Sequence, residues 1–255
     1  MTPFPPTAAI VSEGPGKELG ISTSRMKALL LVPLVALAFA ACGGADAPER
    51  TTATTGTPSY TTNFDQTENP ISEGSRWTNG FAVGLAWNNV QTASGNAFGT
   101  AFTPNGYADN IVHLSGYPAN HYIEGVVHRA SGYNPATVHE IELLCRFLIT
   151  ANNARGYELL IDTAGSSQIV RWNGAEGNFT VLNTTVGGLG TISDGDVIRV
   201  EVIGSTITAF KNGVQGLQAT DSTWTTGNPG IGMFTRGGDS VLPNFGWKSI
   251  SAGPL

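Results

Sequence analysis

The chain has 255 residues, with 33 glycines, 13% charged side chains and a formal net charge of −6 at neutral pH. Low charge and abundant glycine at this length fit a single exported β-rich domain. The acidic balance lacks the basic stripe that a phosphate backbone demands, which excludes a nucleic-acid partner.

Residues 1–25 are rich in Pro and Gly and carry no apolar period. Met26-Lys27 then opens an apolar run, Ala28 to Ala41. That run falls short of the roughly 20 residues that span a bilayer but has the size of a signal-peptide core, so residues 1–41 are read as leader and signal peptide. The run ends Phe39-Ala40-Ala41-Cys42-Gly43-Gly44, which resembles a bacterial lipoprotein signal. The resemblance implies cleavage before Cys42, a lipid on that cysteine, and attachment to a membrane in the periplasm or at the cell surface. Ordinary cleavage near Ala40 or Ala41 would equally export the chain. Residues 42–62, with Thr51, Thr52, Thr54, Thr55 and Thr57, hold too few apolar groups to offset their ordering entropy and read as a flexible tether. With Cys42 lipidated, Cys145 is the one remaining thiol and no internal disulfide can form. Its alternation with apolar neighbours makes it a buried small side chain.

From residue 63 to 255, Gly, Asn, Pro and Ser interrupt the chain every eight to fifteen residues and no window carries a helical period, the pattern of an all-β antiparallel sandwich. Strands are predicted at Phe81–Leu85, His121–Arg129, Val138–Ile149, Tyr157–Asp162, Gln168–Trp172 and Phe179–Leu182, and again at Gly230–Arg236 and Phe245–Ile250. The clearest signal is Gly195 to Val214, three short strands joined by tight turns at Gly204-Ser205 and Asn212-Gly213. The second turn supplies the two positive-φ residues of a type I′ hairpin. Period two sorts the side chains. Ile141, Leu143, Cys145 and Phe147 face in, as do Tyr157, Leu159 and Ile161, and Ile198, Val200 and Val202. The opposite set, Glu140, Glu142, Arg146, Glu158, Asp162, Arg199 and Glu201, is predicted to face solvent.

Taken in order, Phe64-Asp65, Glu68-Asn69-Pro70, Trp77, Asn120-His121-Tyr122-Ile123-Glu124, Cys145-Arg146-Phe147, Gly156-Tyr157-Glu158-Leu159, Gly195 to Val202, Lys211-Asn212-Gly213 and Gly227 to Gly232 resemble the concanavalin A-like (laminin G-like) jelly-roll domains of bacterial and phage surface proteins. The resemblance covers about Phe64 to Ile250. It implies a two-sheet sandwich whose more curved sheet presents a glycan groove. Lectins, carbohydrate-binding modules, glycoside hydrolases, polysaccharide lyases and adhesion domains all use this frame, so fold does not choose among them. Sugar recognition needs planar polar groups and aromatic faces. The candidates are Glu142, Arg146, Glu158, Arg171, Trp172, Tyr117 and Tyr133. The bland alternative keeps Arg146 as a cross-strand partner of Glu158 and Trp172 in the core.

A catalytic reading starts from Glu140-Ile141-Glu142, two carboxylates on one strand face about 6.6 Å apart at the backbone, as glycosidase chemistry uses. The third carboxylate of that strand pattern is missing, since Leu144, Cys145 and Arg146 follow. A lyase-type Tyr/His pair has no counterpart, because His139 faces in and His121 and His128 fall on opposite strand faces. The four histidines lack a metal-binding spacing. A structural calcium would need converging oxygens, and Asp65, Asp221 and Asp239 are scattered, so no cofactor is expected. Trp77 and Trp247 are expected to anchor the core where first and last strands pair. The sequence thus reads as a lipid-tethered, glycan-binding surface domain without catalysis. A polysaccharide-active enzyme and a structural or adhesion protein are the competing readings.

Overall fold

Two units make up the chain, Met1–Thr52 and Ala53–Leu255. The computed structural model describes residues 59–81, 87–100, 109–134, 138–151, 153–186, 188–235 and 242–255, all in the second unit. The leader, Cys42 and most of the Thr-rich tether lie outside the described residues, as do residues 82–85 of the strand expected at Phe81–Leu85, together with Arg236 and Asp239. Phe81 itself belongs to no strand and is exposed.

Alternation of apolar and polar side chains is realised as fifteen strands among the described residues: β1 (Tyr60–Thr62), β2 (Thr78–Asn79), β3 (Val90–Ala93), β4 (Asn96–Gly99), β5 (Asp109–His113), β6 (His121–Arg129), β7 (Glu140–Thr150), β8 (Asn153–Asp162), β9 (Ser166–Gly174), β10 (Phe179–Val186), β11 (Val197–Ile203), β12 (Thr206–Lys211), β13 (Val214–Thr220), β14 (Asn228–Phe234) and β15 (Phe245–Pro254). They form two antiparallel sheets. One runs β13-β12-β11-β6-β15-β4-β3 with β1 paired to β15; the other runs β10-β9-β8-β7-β14-β5-β2. The hairpin from β12 to β13 turns on Asn212 (φ 50°) and Gly213 (φ 79°), with Lys211 opposite Val214, as the Asn-Gly pair predicts.

Between the sheets lie Ile141, Leu143 and Cys145 of β7, Tyr157, Leu159 and Ile161 of β8, and Ile198, Val200 and Val202 of β11, all buried as alternation requires. Burying each large aliphatic side chain contributes about 1.5–3 kcal/mol, which makes this shared layer the main driving force for closing the sandwich. Burial also pushes the Cys145 thiol up to about 12, so it packs as an inert apolar group. Trp77 and Trp247 both sit in this core, and β1 pairs with β15, joining the two ends of the domain.

The polar outer face expected for β7 and β8 is where the structure departs from the sequence reading. Glu142, Arg146 and Glu158 are 1%, 2% and 4% exposed. The reason is position: β7 is the middle strand of its sheet, and a second apolar cluster of Trp87, Ile111, Leu144, Phe147, Ile149, Ala154, Val170 and Trp172 covers the outer side. A strand wrapped on both sides is buried on both faces, and alternation then no longer separates inside from outside. Arg146 leaves the ladder altogether. It sits at positive φ (47°) in a bulge, and its guanidinium donates to the carbonyls of Ala119 (2.8 Å) and Trp224 (3.2 Å). Leu144, not Arg146, stands opposite Glu158. Arg199 and Glu201 do remain partly exposed on the outer side of the other sheet, joined at 2.7 Å.

Trp247 fits because β6 has Gly125, opposite Ile250, beneath its ring: a Cβ there would lie 2.5 Å from Trp247 Cε3 and 2.7 Å from Ile250 Cδ1. Gly125→Ala should overpack the core and destabilise the domain by about 1–3 kcal/mol. In urea unfolding this would lower the midpoint at unchanged slope; an unaltered midpoint would show that the Trp247 layer has room to spare.

Candidate functional site

The outer face of the seven-stranded sheet gathers side chains from six strands. Cross-strand register dictates the arrangement. Glu142 on β7 stands between Gly232 on β14 and Leu160 on β8. Asp109 on β5 lies opposite Phe234, which lies opposite Glu140. Glu158 on β8 is flanked by Leu144 and Val170, and Trp172 on β9 by Gly156 and Phe179. Gly232 is needed here because a Cβ at that position would come 2.1 Å from Glu142 Oε2. The missing side chain is the space the carboxyl occupies.

These acids share an apolar setting without a described cation. Every described Lys and Arg is held elsewhere: Arg129 by the Ile192 carbonyl, Arg146 by Ala119 and Trp224, Arg171 by Asp221, Arg199 by Glu201, Lys211 by Asp196 and Lys248 by Asp194, while Arg76 and Arg155 lie over the rings of Tyr60 and Trp224. Burial, then the neighbouring Glu158, Asp109 and Glu140, hold the Glu142 carboxyl well above the ordinary range. Burial and then Asp109 do the same to Glu158, against an opposing hydrogen bond from Trp172. Asp109 is pushed up to about 8 by burial, with Glu140 and Glu176 adding to it. The protonated form is favoured because a carboxylate without a counter-charge cannot be accommodated in such a medium.

Trp172 Nε1 donates to Glu158 Oε2 at 2.6 Å. Among the described residues four buried polar side-chain atoms have no hydrogen-bond partner, and two of them, Glu142 Oε2 and Trp87 Nε1, belong to this face and its covering cluster. Both atoms lie beneath the covering cluster, out of reach of solvent. Beside them runs a ladder of rings. Trp87 meets Trp172 edge-on at 4.6 Å, and Trp172 meets Phe179 at 5.2 Å. Phe179 ends the ladder 38% exposed, next to the exposed Val181. The face thus ends in a bare aromatic ring at its edge strand, the kind of apolar surface on which a sugar ring stacks. Among the described residues no three His, Cys, Asp or Glu side chains converge as metal ligands.

Of the residues singled out from the sequence, Glu142, Glu158 and Trp172 come together here. The other four lie apart. Arg146 ties the bulge of β7 to neighbouring loops. Arg171 points from the opposite side of β9 and is locked to Asp221 (2.6 Å) and Thr223 (2.8 Å). Tyr117 rests on His121 and is held through its backbone N–H by Asn228, while the Tyr133 hydroxyl shares a hydrogen bond with His139 Nδ1 beside Phe245. Asp109, Trp87 and Phe179 were not anticipated as site residues. Asp109 sits in a strand whose every residue is buried, so no alternation marks it, and Trp87 stands in a segment without periodicity.

No protein-family profile matches the chain, and no curated protein is similar to it in sequence. Its fold does have solved counterparts. One, from work on endo-acting O-glycanases with which prominent members of the human gut microbiota initiate mucin breakdown, superposes with a TM-score of 0.51 at 13% identity, over 77% of this chain and 98% of that one. The carbohydrate-binding module CBM66 of Bacillus subtilis superposes at 0.48 and 14% identity, over 72% and 96%. The β-glucanase of Bacillus licheniformis does so at 0.46 and 13%, over 78% and 99%. The chain has the concanavalin A-like jelly-roll fold.

The acid row carries a pH signature. Because Asp109 is raised from 3.8 to about 8, the folded protein binds more protons than the unfolded chain across that window, so stability falls as pH rises through it. Buried His113 and His121 act in the opposite sense below their ordinary 6.5, which leaves about 6.5 to 8 as the interval to read. Over that interval the urea midpoint should fall, and in Asp109→Asn it should fall less; a midpoint that stays level or rises would contradict the protonated cluster.

Proposed function

We propose that the domain binds a glycan along the outer face of its seven-stranded sheet, and that the chain is exported and held at a membrane by a lipid on Cys42. The reading rests above all on the ring ladder that surfaces at the edge strand, where Phe179 lies exposed beside Val181. A pyranose presents an apolar C–H face and a rim of hydroxyls. Phe179 receives the first, while the second stays hydrated along the exposed edge strand. The carbohydrate-binding and glycan-active proteins that share this fold are consistent with the reading.

A second reading, a glycoside hydrolase, is favoured by one specific observation. Glu142 and Glu158 are two buried carboxyls on adjacent strands in different settings, one bonded to an indole and the other with an open oxygen. Such a pair can divide proton donation from charge stabilisation, and the second acid comes from β8 rather than from the continuation of the Glu140-Ile141-Glu142 strand.

Incubation with a panel of polysaccharides separates the readings. Binding predicts retention without turnover, weakened about tenfold in Phe179→Ala, which corresponds to ~1.4 kcal/mol. New reducing ends that vanish in both Glu142→Gln and Glu158→Gln would establish the hydrolase. Retention unaffected by Phe179→Ala would remove the glycan from this face. For the anchor, metabolic labelling should place fatty acid on the wild-type chain and not on Cys42→Ser; equal labelling of both would refute it.

A further inference from the structure

We infer that the domain carries a second site, for an uncharged, hydroxyl-rich sugar, on the outer face of its eight-stranded sheet, in the cleft between Phe210 and the ion pairs of Arg199. On this sheet alternation runs unbroken. Along β6, β11 and β12 alternate residues enter the core, while Tyr122, Glu124, Arg199, Glu201, Thr208 and Phe210 on the other side stay partly exposed. A ligand can therefore reach this face, in contrast to the covered side of β7 and β8. Register sets its side chains in two rows, Glu124 opposite Arg199 opposite Phe210, and Tyr122 opposite Glu201 opposite Thr208.

The cleft holds about 230 Å³. Val197 and Phe210 supply its apolar lining, and Glu124, Arg199 and Glu201 its hydrogen-bonding groups. Arg199 is held three ways: its guanidinium carbon lies 3.8 Å from the centre of the Tyr122 ring, its Nε donates to Glu201 Oε1 at 2.7 Å, and its Nη1 lies 3.6 Å from Glu124 Oε2. Those holds fix the polar side of the cleft before a ligand arrives, so little side-chain entropy is left to lose on binding. Each carboxylate has about four lone-pair positions, and its contact with Arg199 leaves acceptor capacity for hydroxyls. The C–H face of a pyranose can then cover Phe210 while its neighbouring hydroxyls donate to Glu124 and Glu201. An anionic sugar would meet two carboxylates for one guanidinium, which is why the ligand class is uncharged.

This site shares no residue with the face that ends at Phe179, so either can fail alone. Short neutral oligosaccharides of glucose, mannose, xylose and galactose, titrated singly into the isotope-labelled full chain, read both faces at once by NMR, and short fragments keep one ligand from bridging two sites. With at least one of them the Arg199 Nε–H and the Gly213 amide should shift saturably, and Phe210→Ala should weaken that response about tenfold. Glu201→Gln, a change of equal size that leaves the buried side of β11 untouched, should weaken it as well. Shifts at this face with none around Phe179 support the second site and remove the first. Shifts confined to the surroundings of Phe179 overturn the second site and leave the proposed one standing, as do shifts at Arg199 that survive both substitutions. Silence at both faces with every oligosaccharide overturns both.

Discussion

Everything in this domain turns on the burial of β7 from both sides. Its inner face closes the sandwich through Ile141, Leu143 and Cys145, and its outer face is covered by the cluster around Trp87 and Trp172. Being central in its sheet, β7 cannot shift register without displacing β8 and β14, its partners on either side. Glu142 is thereby fixed in a place where a surface strand would have let it reach water, while Glu140 at the start of β7 stays half-buried. The bulge at Arg146 relieves the ladder just beyond them and lets the strand bend without disturbing the acid row.

Burying carboxyls in this way is costly to stability, and proteins tolerate such arrangements chiefly where they serve a site. The arrangement departs from an ordinary salt-bridged interior. Where Arg171 and Asp221, or Lys211 and Asp196, satisfy one another near the surface, Glu142 and Glu158 have no described cation beside them, and Glu158 accepts from the Trp172 indole. Neutral carboxyls are both donors and acceptors, so they can share hydrogen bonds with one another and with an indole without a counter-charge.

Much of the frame was legible in the sequence. The inward residues of β7 up to Cys145, those of β8 and β11, the Asn212-Gly213 hairpin and the strand His121–Arg129 follow from period two and turn chemistry, because those signals are local; Phe147, expected inward, turns to the outer cluster because the bulge at Arg146 shifts the alternation. Strands β1 to β5 were not read as strands beyond the segment at Phe81. They are short or, like β5, buried throughout, and a uniformly buried strand shows no alternation. The site was half legible. Glu142, Glu158 and Trp172 share a strand face by parity, but parity could not tell a wet face from one covered by a second cluster. Asp109 and Trp87 reach the site only through pairings distant in sequence, and the bulge that removes Arg146 shifts every side chain after it by one position.

The central claim is that the carboxyls of the outer face stay protonated at neutral pH beneath the surface proposed to take a glycan. Carboxyl carbon NMR of the selectively labelled protein tests it most directly, by following Asp109, Glu142 and Glu158 through a pH titration without glycan and then with a retained neutral polysaccharide fragment. The account predicts that all three titrate well above the ordinary carboxylate range, Asp109 near 8, and that Glu142 and Glu158 shift on addition of the fragment. Midpoints near 4, or resonances unmoved by a fragment that the domain retains, would contradict it.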